Sequence, residues 1–250
     1  MSHERAAGER SPRPVLLSLP FAGRWLVQNS PALRVPSHGS DLFGERYAID
    51  FVGVDERGRT AATRDWATVF GTEPSERFVG FGRRVLAPAA GTVVVVHDGE
   101  ADHAARRSPL ALVPYALGQA GRVRAGVAAI AGNHVIIELV GGAGFLALVH
   151  LRAGSIVVRV GECVTTGQPV ARCGNSGNST QPHLHLQAMD SADLGVARGL
   201  PIAFRSYSER AGPTARPSIR PAGVPADGSI VEPFSPGVQA GMPGPHTPKK

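Results

Sequence analysis

Gly91-Thr92-Val93-Val94-Val95-Val96-His97 is the run on which the fold class turns. Four successive β-branched valines lose rotamer freedom in a helix and pack well on a pleated surface, so the run predicts a strand. Working outward, short apolar segments recur at His134 to Leu139, Phe145 to Leu151, Ile156 to Val160, Pro169 to Cys173 and His183 to Ala188, with Gly-containing turns between them. On the upstream side, Val85 to Ala87 reads the same way, as does Arg46-Tyr47-Ala48-Ile49-Asp50-Phe51-Val52, which carries an acid among apolar neighbours. Strands this short and evenly spaced predict an all-β fold, a two-sheet β-sandwich or barrel with long loops.

The bulk composition agrees. The chain has 250 residues, 42% of them hydrophobic and 18% charged, and its 31 Gly and 21 Pro favour many turns over long helices. Met1 to Pro14 reads as a disordered leader, because Arg, Glu, Ser and Pro dominate it. A single β domain is expected over 15–211, with its core in 48–188. From Gly212 to Lys250 a flexible Pro- and Gly-rich tail is expected. Asp55 to Phe81 reads as a long polar loop or lid, and Asp98 to Gly132 as an insertion. Within it a short helix is expected over Ser108 to Gly118, capped by Ser108 with Pro109 in its first turn.

The formal charge of +6 suits an anionic polymer such as a cell-wall glycan, a membrane surface or nucleic acid. The excess lies in scattered Arg, with Lys249 and Lys250 at the end and no basic run interleaved with aromatics, so nucleic acid is not the expected partner. No segment reaches the ~20 apolar residues of a membrane span, and VLLSLP at 15–20 is too short for a signal-peptide core. Cys163 and Cys173 can pair or can be two buried thiols.

Chemistry concentrates in Gln181-Pro182-His183-Leu184-His185-Leu186-Gln187, where the period of a strand puts His183 and His185 on one face and both leucines on the other. Just upstream, Gly174-Asn175-Ser176-Gly177-Asn178-Ser179-Thr180 supplies a turn, and Phe145 to His150 ends another apolar strand with a third imidazole. Ser176 and Ser179 lie near histidines, but no G-x-S-x-G elbow of a serine hydrolase is present.

Gly174-Asn175-Ser176-Gly177 followed by Pro182-His183-Leu184-His185 resembles the closing motif of the lysostaphin-type zinc metallopeptidases, whose fold is the duplicated hybrid motif. The resemblance covers most of Ala48 to Ala188, with breaks at the polar loop and the insertion. It implies a zinc ion held by Asp50, His185 and one further histidine, with His150 and His183 beside it as catalytic groups. The family's usual first histidine stands four positions before the aspartate. Here that position is Arg46, whose guanidinium stays protonated and cannot ligate. His38 is the proposed replacement, from a loop that Gly39 and Gly44 let fold back, with Asp41 a lesser substitute.

The resemblance further implies a zinc endopeptidase that acts on peptidoglycan cross-bridges or stem peptides; separately, a monomer is expected. The contrasting reading, prompted by Arg46, is a non-catalytic binding or regulatory module with a degenerate metal site. His134 is expected to be a structural histidine, and His97, His103, His3 and His246 to be exposed polar residues.

Overall fold

The structure, a computed structural model, describes residues 13–63, 66–108 and 126–234, together with Leu110, Leu112, Leu117, Gly118, Gly121 and Arg124. The strands, in chain order, are β1 (Val15–Leu17), β2 (Trp25–Gln28), β3 (Ile49–Gly53), β4 (Arg84–Leu86), β5 (Gly91–His97), β6 (Asn133–Leu139), β7 (Phe145–Leu151), β8 (Cys163–Val164), β9 (Pro169–Arg172), β10 (Leu184–Met189), β11 (Gly199–Leu200), β12 (Ile202–Arg210), β13 (Ser218–Gly223) and β14 (Ile230–Pro233). The helices among the described residues are short, so the expected all-β class holds.

The main sheet runs β1-β12-β14-β2-β3-β10-β7-β6-β5-β8, with β11 on β10 and β13 on β12, and β4 and β9 form a second, two-stranded sheet. All pairings are antiparallel except β1 with β12. The principal core lies between the main sheet and the small one: Val85 and Val170 of the small sheet pack with Phe51, Ile137, Leu148 and Leu186 of the large one.

Alternation along β10 decides what faces this core. Leu184 and Leu186 are fully buried in it, each worth roughly 1.5–3 kcal/mol. His185 and Gln187 therefore project from the opposite face. In β3, Ile49 and Phe51 enter the same core, which turns Asp50 to the side of His185. A one-residue slip of either strand would exchange polar and apolar faces, so burial of these four apolar side chains holds the register. A second apolar cluster on the polar side joins Ala131, Ile136, Ala147, Val149, Met189 and Leu194.

Several expectations need correction. The strand expected from Arg46 begins at Ile49, because Phe43 and Gly44 adopt positive φ (56° and 79°) and wind Leu42–Tyr47 into a tight turn. Ile156 to Val160 forms no strand: Val157 makes one backbone bond to Val170, and Val157 and Val160 stay exposed. Order does not stop at Ala211 either. Ser218–Gly223 and Ile230–Pro233 are strands, and β14 is inserted between β12 and β2, burying Ile230 and Val231. Pro and Gly content masked two short strands there, one of which is the bridge between β2 and β12. The leader 1–12 and the stretch 235–250 lie outside the described residues.

Described residues of Asp55 to Phe81 pack against the insertion that follows β5. Ala61 and Phe78 form a small cluster with Ala105, buried Glu73 accepts two hydrogen bonds from Arg107 (2.6 and 2.7 Å), and none of the described residues of this stretch lines the histidine cleft. Within the expected helix, Leu110, Leu112 and Leu117 are helical and the Leu110 N–H donates to Ser108 Oγ (3.2 Å); Pro109 lies outside the described residues. Cys163 is exposed and Cys173 buried, and both are free thiols. Burial, with Asp102 nearby, pushes the Cys173 thiol pKa up.

Candidate metal centre

Asp50 and His185 are direct partners across β3 and β10, and Asp50 Oδ1 lies 3.0 Å from His185 Nδ1. The other carboxylate oxygen, Oδ2, is 3.1 Å from His38 Nε2 and accepts a hydrogen bond from Asn29 Nδ2 at 2.7 Å. His38 reaches this point because its loop is tied to the Leu42–Tyr47 turn. The Ser37 N–H donates to the Arg46 carbonyl (3.1 Å), the Ser37 hydroxyl donates to the Glu45 carbonyl (3.2 Å), and Gly39 and Gly44 both take φ of +79°. One ligand-capable atom from each of His38, Asp50 and His185 lies within 4.8 Å of the others.

Arg46 points elsewhere. Its guanidinium makes paired hydrogen bonds to both Asp41 oxygens (2.8 and 2.9 Å), so Asp41 is engaged on the exposed side of the turn.

The donor set fits a zinc-like cation. Two imidazole nitrogens and a carboxylate are among the usual ligands of this ion, and each imidazole nitrogen stands beside one oxygen of the Asp50 carboxylate, His185 Nδ1 3.0 Å from Oδ1 and His38 Nε2 3.1 Å from Oδ2. The tautomer of His185 adds an independent argument. Gln187 Nε2 donates to the Phe43 carbonyl (2.6 Å), which presents Gln187 Oε1 to His185 Nε2 at 2.8 Å. With the His185 proton on Nε2, Nδ1 is a bare lone pair aimed at a carboxylate, an arrangement that needs a second proton or a cation between them.

The charges behave accordingly. Burial opposes ionisation of Asp50, but the His183 and His38 rings and the hydrogen bonds from His185 and His38 outweigh it and hold the carboxyl well below its usual range. Burial also disfavours the His185 cation, yet its hydrogen bond to Asp50 and the charges of Asp50 and Glu45 push its pKa up to about 9.

His150 and His183 stand beside this group, their ring centres 4.7 Å apart, with His150 5.9 Å from His185. In β7, Leu146 and Leu148 face the principal core, and simple alternation would send His150 there too. Instead His150 has a φ of 61°, Leu151 takes the core position, and the imidazole turns to the side of His183. Such a left-handed non-glycine residue costs on the order of 1–3 kcal/mol and persists only where its surroundings hold it. His150 Nδ1 donates to the Ser176 carbonyl (2.9 Å) and His183 Nδ1 to the Gln181 carbonyl (2.8 Å). Burial, reinforced for His150 by the neighbouring rings, lowers both pKa values, so the two rings are neutral, and His183 Nε2 lies 3.7 Å from Asp50 Oδ1. All four histidines line a cleft of about 480 Å³, with Leu42 and Phe43 from the turn and Val127 and Ile130 from the helix Val127–Ala131.

His134 is apart from the cluster, its Nδ1 2.7 Å from the Gly132 carbonyl and its ring stacked on His97, which is partly exposed and 3.4 Å from Glu100. His103, expected to be exposed, is partly buried with Nε2 2.8 Å from the Gly177 carbonyl, because it braces the turn before β10. His3 and His246 lie outside the described residues. Sequence reasoning missed Gln187 and Asn29. Gln187 could have been found by carrying the alternation two residues past His185, whereas Asn29 reaches Asp50 only through a φ of 50° that no local pattern announces.

The fold and the cluster together describe an all-β chain with a candidate His-Asp-His metal centre flanked by two neutral imidazoles. Residues 115–195 match the family model described as Peptidase family M23. The resemblance to the lysostaphin-type metallopeptidases is thereby shown, over a stretch that carries His150, His183 and His185 and lies downstream of His38 and Asp50. Among solved structures, the catalytic domain of lysostaphin from Staphylococcus simulans is similar at 17% identity, covering 71% of this chain and 88% of that one, with a TM-score of 0.36. A zinc containing peptidase from Vibrio cholerae is similar at 21% identity, covering 56% of this chain and 42% of that one, with a TM-score of 0.29. The catalytic domain of a prophage-encoded M23 protein from Enterococcus faecalis is similar at 18% identity, covering 57% and 94%, with a TM-score of 0.30. Comparison with curated proteins finds no match. No helix among the described residues is long and apolar enough to cross a membrane.

Proposed function

We propose that the chain is a zinc-dependent endopeptidase that hydrolyses peptide bonds in peptidoglycan cross-bridges or stem peptides. The observation that carries this reading is the convergence of His38, Asp50 and His185, from remote parts of the chain, within 4.8 Å. These three residues would hold the ion, with His38 in the role that Arg46 cannot fill. When bound, zinc supplies Lewis acidity at the scissile carbonyl and lowers the pKa of a water toward ~7.

The chain's own residues handle the protons. His150 and His183 are neutral, each with Nδ1 committed to a backbone carbonyl; His183 Nε2 lies 3.7 Å from Asp50 Oδ1, and either ring would accept the proton of the attacking water on Nε2. Once protonated, that ring becomes an N–H donor, able to stabilise the oxyanion and return the proton to the leaving amine. Gln187 keeps the His185 proton on Nε2, and Asn29 holds the Asp50 carboxylate in place. The apolar side chains of Ile130 and Leu42 line the cleft beside these rings.

The test is to digest purified peptidoglycan and defined cross-bridge peptides with the purified protein, with and without a chelator, and to identify products by mass spectrometry. New peptide termini that vanish with chelator and return with zinc are expected. Zinc bound without any cleavage would favour the non-catalytic module instead.

A further inference from the structure

We infer that Glu45 is a specificity-determining residue, placed to receive an ammonium group of the substrate beside the His38-Asp50-His185 centre. The group would be a peptide α-amine or the amine of a lysine-type side chain. The inference rests on the peptidase reading and deepens it. Glu45 belongs to the Leu42–Tyr47 turn and lines the same cleft as His38 and His185.

The carboxylate is not spent on anything else in the site. It is outside the group of three that can share an ion, and Glu45 lines the cleft together with His38 and His185. The adjacent Arg46 guanidinium is taken by Asp41, and no ion-pair partner of Glu45 occurs among the described residues. Asp50, the cleft's other acid, already meets His38, His185 and Asn29. Among the described residues no lysine or arginine lines the cleft. An entering cation therefore finds one partly buried, uncommitted carboxylate and no opposing side-chain charge other than the imidazoles. An ammonium on Glu45 makes a charge-assisted hydrogen bond, which is stronger than a neutral one and is lost when either charge is removed.

The experiment compares two fluorescein-labelled peptides of glycine and alanine containing one lysine, identical except that the lysine and α-amines are free in one and acetylated in the other. Binding is read by fluorescence anisotropy on the full chain as purified, and cleavage by mass spectrometry. Wild type is expected to bind the free-amine peptide about tenfold more tightly, Glu45→Asp to keep most of that preference, and Glu45→Gln to bring the ratio close to unity. Circular dichroism verifies folding of both variants. An unchanged ratio in Glu45→Gln, or equal binding of the two peptides by wild type, overturns the inference. Selective binding without cleavage of either peptide would count against the peptidase reading while leaving the role of Glu45 standing.

Discussion

Gln187 accepts a hydrogen bond from His185 Nε2 at 2.8 Å while its own amide donates to the Phe43 carbonyl, and this pairing leaves His185 Nδ1 facing Asp50. Two residues apart on β10, they form one device: the amide sets the tautomer and the imidazole presents the ligand atom. The carbonyl that orients the amide comes from the same turn that anchors the His38 loop, so the candidate ligands share a support.

Zinc content tests the ligand set directly. The purified protein is expected to carry about one zinc per chain. His38→Ala, Asp50→Ala and His185→Ala should abolish it, and His183→Ala should retain it. Gln187→Ala should weaken zinc affinity by about 10–100-fold, as loss of an orienting partner does. Elemental analysis after gel filtration reads each case, and full zinc in Asp50→Ala would remove that residue from the set.

Metal binding should release protons. In the metal-free protein the His185 pKa is about 9, raised above the usual imidazole range by Asp50, so at pH 7 the ring is cationic and must lose its proton before it can ligate. Zinc affinity should accordingly increase from pH 6 to pH 9. Release from this ring should be close to one proton at pH 7 and shrink above pH 9. Calorimetric titration in buffers of different ionisation enthalpy measures it, and pH-independent affinity would contradict the assignment.

His150→Asn separates chemistry from folding. Asparagine tolerates positive φ better than most residues, so the β7 turn at φ 61° should survive and the thermal midpoint should stay within a few degrees. Zinc should remain bound, while peptide cleavage drops by about 10²–10⁴-fold, the usual worth of a general base. Wild-type turnover in this variant would exclude His150 from the proton transfer.

Glu209 links the last strands to pH. Burial raises its pKa, but the Ala226 N–H, the Arg220 guanidinium and the Ser229 hydroxyl together lower it below the ordinary carboxylate value. Its stabilisation is therefore present above the unfolded value of ~4.3 and lost as pH falls through the lower folded one. Glu209→Gln should reduce the thermal midpoint by about 2–4 °C at pH 7, the effect of ~1 kcal/mol in a chain of this size. The difference from wild type should shrink by pH 3. Midpoints that differ equally at both pH values would show that the carboxylate charge is irrelevant.

Much of the architecture was present in local pattern. The valines of 91–97, the alternation at 183–187 and the acid among apolar residues at Asp50 each specify a strand and a face, because side chains on a strand alternate and apolar ones must leave water. The family resemblance gives position 46 to a metal histidine, a guanidinium there cannot ligate, and His38 is the nearest upstream imidazole. What the pattern could not supply is long-range. That His38 meets Asp50 depends on a turn tied through Ser37 and Gly44, and that His150 joins His183 depends on a residue leaving the β region against its own strand's alternation. The strand Ile230–Pro233 looked like tail because its burial comes from β12 and β2, far away in sequence. Local residues set which face of a strand is polar; only the assembled sheet, by bringing distant loops onto that face, decided which of its polar groups meet.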